Sequence, residues 1–214
     1  MDDALDILVM EAQPHTNDDA IAALEAAGHR LHRCHDADST GFPCRGAVDR
    51  DACPVDLDLD VALLMRRGVR PHPSPLEAGA TCAIRADVPI VEIGTDLLDP
   101  FAPWIARRIA NPKEAPDACA EVASEQREPL RRAIHDRIAA LLAAGNVDPG
   151  AVTCTISGAS STLEIHLELP HAVGLRLEHA LAVRVLDAVR SSGRTYGHID
   201  VSVSPSGEPP AAEA

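Results

Sequence analysis

Thiols and imidazoles crowd one short stretch of this chain: His29, His32, Cys34, His35, Cys44 and Cys53, with His72 and Cys82 further on. Soft thiolates and imidazoles drawn from a strand end and a loop are what Zn²⁺ or an iron-sulfur cluster requires. The spacing Cys34-x9-Cys44-x8-Cys53 contains no Cys-x2-Cys knuckle, so a set of plain buried thiols stands beside the metal reading. Cys34, Cys44 and Cys53 would form the site, with His35 or Cys82 as fourth ligand. Seven residues into a helix begun at Pro75, Cys82 would lie about 10 Å along the axis. It joins the set only if that helix starts later, near Gly79.

A second constellation follows from strand alternation in Thr162 to Leu169. If Leu163, Ile165 and Leu167 face a core, then Glu164, His166 and Glu168 point away from it, as do His198 and Asp200 on the last strand. Pairing of those strands would put imidazoles and carboxylates on one open face, suited to a labile metal or a partner. A solvated polar face is the simpler expectation.

Other templates carry less. Glu11-Ala-Gln-Pro-His15 stands where a glycine-rich phosphate loop would follow the first strand. Ser160 and Ser161 have no identifiable base. Cys34 and His35 are neighbours on an extended segment, so their side chains diverge and make a poor catalytic pair. Arg66, Arg67 and Arg70 are expected to make local ion pairs or to anchor an anion.

The elements that must position these residues alternate over the first half. Strands are predicted at Ile7 to Met10, Leu31 to Cys34, Leu59 to Met65 and Val88 to Ile93. Helices are predicted after the N-cap residue Asn17 up to Gly28, from Pro75 to about Ala86, and around Trp104, Ile105 and Ile109. This order gives a doubly wound, mostly parallel α/β domain over residues 1–110. Asn111 to Asp117 reads as a linker, residues 118–204 as a small α+β module of α-β-β-α-β order, and Pro205 to Ala214 as a disordered tail.

Ile7-Leu-Val-Met-Glu11, Leu24-Glu-Ala-Ala-Gly-His29 and Asp99-Pro-Phe101 followed by Ile105-Ala-Arg-Arg-Ile109 resemble the first strand, first helix and final turn-plus-helix of response-regulator receiver domains. The resemblance implies a flavodoxin-like fold, but its phosphotransfer residues are missing. Ala12 and Gln13 follow Glu11, the third strand ends Met65-Arg66-Arg67, and Asp99 stands where the family has a lysine. A trimmed, non-phosphorylatable pseudo-receiver is the expectation. Thr162 to Leu169, the helix through His179 and His198 to Ser204 resemble the soluble domain of cation-diffusion metal transporters and the alkaline-shock family. The module itself is expected to self-associate.

Composition limits the partners. The 214 residues carry a formal net charge of -14, which repels nucleic acid and anionic lipid surfaces. The aromatics are Phe42, Phe101, Trp104 and Tyr196, too few to stack single-stranded bases. Neither a secretory signal nor a run of roughly 18 apolar residues is readable, so a cytoplasmic location with reduced cysteines is expected. The leading expectation is a non-enzymatic regulatory or binding protein with a zinc or iron-sulfur site and a protein partner or second copy. The alternatives are a thiol-redox or metal-dependent enzyme built on the same loop, and a pure assembly module without metal.

Overall fold

The computed structural model describes residues 4–36, 41–57, 59–66, 72–94, 99–158, 162–193 and 196–206. The chain divides into two compact units, Met1–Gln126 and Arg127–Ala214.

The first unit is a five-stranded parallel sheet in the order β2-β1-β3-β4-β5, formed by β1 (Asp6–Glu11), β2 (Arg30–His32), β3 (Val61–Met65), β4 (Ile90–Ile93) and β5 (Ile105–Ile109). Between them lie α1 (Asp18–Ala26), the short α2 (Arg45–Val48) and α3 (Gly79–Arg85). The register Ile7↔Val61 to Glu11↔Met65 aligns two strands that are apolar on both sides. Alternation then assigns the faces. Ile7, Val9, Val61, Leu63, Val91 and Ile93 pack with Leu24 of α1. Leu8, Met10, Ala62, Leu64 and Ile90 pack with Ala80 and Ala83 of α3, and with Cys34, Leu59 and Phe101. Gly28, at φ +84°, turns the chain from α1 into β2, and His29 N donates to Leu24 O at 3.1 Å.

This parallel arrangement is compatible with a receiver-like α/β domain. The expected closing helix at Ile105 to Ile109 is corrected: the segment is strand β5, paired parallel with β4. Its isoleucines sit four apart, which imitates a helical stripe. The residues between them serve opposite sides, Arg108 meeting Glu92 on β4 and Arg107 meeting Glu121 and Glu125. The helix predicted from Pro75 begins as a 3-10 turn, Pro75–Glu77, and becomes α-helical at Gly79.

Asn111 to Asp117 contains a 3-10 turn, Pro112–Glu114, that runs into the helix α4 (Ala115–Ala144). Early in α4, Ala115, Ala118, Cys119, Val122 and Ala123 enter the first unit's core, whereas Ile134, Ile138 and Leu142 enter that of the second. The compact units divide between Gln126 and Arg127, close to Pro129 inside the helix.

The second unit comprises the remainder of α4, β6 (Thr153–Gly158), β7 (Thr162–Leu169), α5 (Leu175–Ser191) and β8 (His198–Pro205). It is a small mixed sheet in the order β6-β7-β8, with β6 antiparallel and β8 parallel to β7. Leu163, Ile165, Leu167 and Leu169 pack with Leu181, Val185 and Val189 of α5 and with the α4 residues. The tail residues 207–214 lie outside the described residues. No helix among the described residues is long and apolar enough to cross a membrane.

Candidate functional site

Four cysteines of the first unit come from separate segments that are tied to one another. Cys34 follows β2 and is buried. Its carbonyl accepts from Arg45 N at 2.9 Å, which fastens it to the start of α2. Cys44 is the residue capping that helix, and its carbonyl accepts from Ala47 N and Val48 N. Cys53 lies over the same helix: a Cβ added at Gly46 would stand 2.8 Å from Cys53 Cβ and 3.0 Å from its Sγ. On the other side, a Cβ at Gly79 would stand 3.1 Å from Cys34 Sγ and 3.0 Å from Met10 Sδ. Glycine at both places lets sulfur lie directly on a helix backbone. Because α3 starts at Gly79, Cys82 is three residues on and shares a face with it.

Burial pushes the Cys34 thiol up to about 12, and the neighbouring sulfurs of Cys82, Cys53 and Cys44 add to the rise. Burial likewise raises Cys82, again followed by Cys53 and Cys44. Both Cys34 and Cys82 are thus held protonated, chiefly by burial. All four are free thiols. Among the described residues, no group of three or more His, Cys, Asp or Glu side chains is already arranged to hold a metal ion.

The histidines separate into different roles. His29 Nδ1 accepts from Leu5 N at 3.2 Å, and His32 Nε2 meets Asp6 Oδ1 at 2.8 Å. His72 is exposed. His35 is buried with no hydrogen-bond partner on either ring nitrogen, and burial lowers its pKa. It lines a small cavity beside Cys34, Arg33 and Glu11. Glu11 Oε2 accepts from Arg33 at 2.6 Å, while its buried Oε1 has no partner.

At the carboxyl ends of β3, β4 and β5 lies an ionic network that sequence reasoning had only grazed. Arg66, fully buried at its side chain, donates to Glu77 Oε1 at 2.6 Å and to Asp99 Oδ1 at 2.9 Å, with its guanidinium 5.8 Å from the centre of the Phe101 ring. Arg108 donates to Glu92 Oε2 at 2.5 Å and Asp99 Oδ2 at 2.8 Å. Burial raises the Glu92 pKa, and the Arg108 hydrogen bond opposes that rise. The local pairing expected of Arg66 is thus present; Arg67 and Arg70 lie outside the described residues. A glutamate inside the apolar run Ile90-Val-Glu-Ile93 was the signal that a buried cation stands nearby. A guanidinium bound to Asp99 and Glu77 fills this sheet end with structure.

On the second unit, the expected strand pairing places Thr162 opposite His198 and Glu164 opposite Asp200. His166 contacts Ser202 Oγ at 2.8 Å through Nδ1 and Ser204 Oγ at 3.2 Å through Nε2. Glu164 accepts from Ser157 Oγ at 3.4 Å, and Glu168 from Ser206 Oγ at 3.0 Å. His166 is thus engaged by serines of β8. Ser160 and Ser161 lie outside the described residues.

No protein-family model, curated protein or solved structure matches this chain.

Proposed function

We propose that this is a non-enzymatic regulatory or binding protein whose first unit holds zinc or an iron-sulfur cluster through Cys34, Cys44, Cys53 and Cys82. What supports the reading is that Cys34 Sγ lies against Gly79, at the start of the helix that carries Cys82, that Arg45 N beside Cys44 bonds to Cys34 O, and that Cys53 lies on Gly46 of α2. Four sulfur donors suit either a structural zinc or a cluster. Binding requires the sulfurs to close on one centre, and the glycines at 46 and 79 supply the room. His35 belongs with Glu11 in the adjoining cavity, so Cys82 is the better fourth ligand.

A thiol-redox enzyme on the same residues has less support. A nucleophilic cysteine needs a low pKa, and Cys34 and Cys82 are both raised. The second unit, in this reading, supplies a protein partner surface or pairs with a second copy.

The test is metal and acid-labile sulfide analysis of protein purified without a histidine tag under anaerobic conditions. Stoichiometric zinc, or iron with sulfide, is expected, and it should fall in Cys34→Ser and Cys82→Ser while staying unchanged in His35→Asn. A content near zero in the unaltered protein overturns the proposal.

A further inference from the structure

We propose that the outer edge of β8 is a self-pairing surface, to which a second copy of this chain adds its own β8 antiparallel, centred on Val201. The inference rests on the reading of the second unit as a partner surface and does not depend on the thiols. The other sheet edges are blunted. Strand β2 is three residues long, with Arg30 and His32 both engaged by Asp6, and β5 carries Arg107 and Arg108. On β6, the Cys154 carbonyl accepts from Arg131 Nε at 3.1 Å. Strand β8 has eight residues in unbroken register with β7, no lysine or arginine, and among the described residues no strand on its other side. Its backbone reveals which groups face outward. Ser206 N donates to Leu169 O at 2.6 Å, and Pro205 is the residue opposite Leu169. Alternate residues of a parallel strand turn N–H and C=O to the same side. Asp200, Ser202 and Ser204 therefore address β7, while Ile199, Val201 and Val203 present their backbone groups to the free edge. Pro205 falls in the outward set, where its missing N–H breaks no ladder bond. The side chains of Ile199, Val201 and Val203 lie on the apolar face but are only partly buried, whereas Leu163, Ile165 and Leu167 beside them on β7 are fully buried. Twofold pairing at Val201 sets that residue against its own copy and Ile199 against Val203. The outward groups then bond each other, and β-branched side chains meet across the seam. A slip of one residue would set apolar against polar faces. Centring on Asp200 would oppose two carboxylates, and centring on Ser202 would bring Pro205, without its N–H, against Ile199. Charge permits the approach, because the second unit carries 8 arginines against only 10 of the chain's 33 acidic residues. Residues 207–214 include Pro209 and Pro210, whose lack of N–H makes them poor occupants of the same edge.

Amide hydrogen exchange of the full chain, resolved residue by residue by NMR, tests the pairing, with sedimentation giving the mass at the same concentrations. A dimer is expected at high concentration, with the amides of Ile199, Val201 and Val203 about tenfold better protected there than after dilution to monomer. Those of Asp200, Ser202 and Ser204 should change far less, because their bonds run to β7 within one copy. Val201→Pro removes the outward N–H of the central pair and leaves the β7 ladder whole, so it should weaken dimerisation on the order of tenfold. Urea unfolding followed at Tyr196 shows whether that variant keeps its fold; if it does not, the exchange pattern of the unaltered protein decides alone. A monomer at every concentration overturns the proposal. So does a dimer whose three outward amides stay unprotected, since another face is then the interface. Protection of those amides in the monomer overturns it as well, because the chain itself would then cover the edge. Metal content is untouched by any of these outcomes, so failure here leaves the thiol proposal to its own test.

Discussion

The two units treat polar side chains in opposite ways. Among the described residues, the buried polar or charged ones, Glu11, Asn17, His35, Asp60, Arg66, Glu77 and Glu92, all belong to the first unit. In the second, Glu164, His166 and Glu168 stand on the far side of a strand whose alternate residues make the core. Burial of a polar group costs free energy unless it is paired, so the first unit has had to spend structure on its polar set. Arg66 and its carboxylates are paired; His35, one oxygen of Glu11 and one of Glu92 are not, and the first two line a cavity with Cys34. Metal-capable residue types occur in both units. Their surroundings, more than their identities, are the reason the metal proposal concerns the first.

Removing the buried cation should break this contrast most visibly. Arg66→Ala leaves Glu77 and Asp99 buried without their shared partner, an expected loss of about 3–5 kcal/mol. Trp104 belongs to the first unit and Tyr196 to the second, so the fluorescence of each follows its own unit during urea unfolding. The Trp104 transition should move to lower urea while that of Tyr196 stays nearly in place. A shift of both together would show that the network does not act locally.

Thiol ionisation gives a smaller and graded separation. Burial alone pushes Cys119 up to about 12 from its ordinary 9.0, within the first unit's core. Its protonated form is favoured by folding, so the associated stability is complete below pH 9 and is lost as pH rises toward 12. Between those values the folded protein keeps a proton that the unfolded chain has released. Cys154, in the second unit, is raised to about 11 and has a narrower window. The urea midpoint read at Trp104 should therefore fall from pH 9 upward, and Cys119→Ala should flatten the fall. An unchanged slope in Cys119→Ala would remove burial of this thiol as its cause.

Much of the fold was legible because both units use plain apolar patterns. The continuous runs of β1 and β3 and the strict alternation of β7 leave little choice of structure. Helix α4 was harder. Asn111-Pro-Lys-Glu-Ala-Pro116 looks like a break, but Pro112 opens a 3-10 turn and Pro116 occupies the first turn of the helix, where its missing N–H costs nothing. Strand β5 was hidden because its arginines meet partners that are remote in sequence, Glu92 from one side and Glu121 and Glu125 from the other. The cysteines were legible as a set by type. The place of Cys82 depended on one fact the sequence left open, the start of α3 at Gly79, and the Arg66 network needed four segments to be assembled before its partners met.

The finest comparison lies within one strand. Ile165 and His166 are neighbours on β7, and alternation sends the first into the core and the second to the opposite face. Ile165→Ala should cost about 2–5 kcal/mol through lost burial and the cavity left behind. His166→Ala removes hydrogen bonds from Ser202 and Ser204, whose hydroxyls can turn to water, so about 0.5–1.5 kcal/mol is expected. Urea unfolding followed at Tyr196 measures both, and pairing His166→Ala with Ser202→Ala in a double-mutant cycle isolates the contact from the rest of the face. A His166 effect as large as that of Ile165 would mean that this imidazole holds the strands together as a core residue does. A small effect, largely recovered in the coupling to Ser202, is what a solvated sheet face implies. The serines would then account for His166 as fully as the leucines and isoleucines account for the opposite side, with no ligand required to explain it.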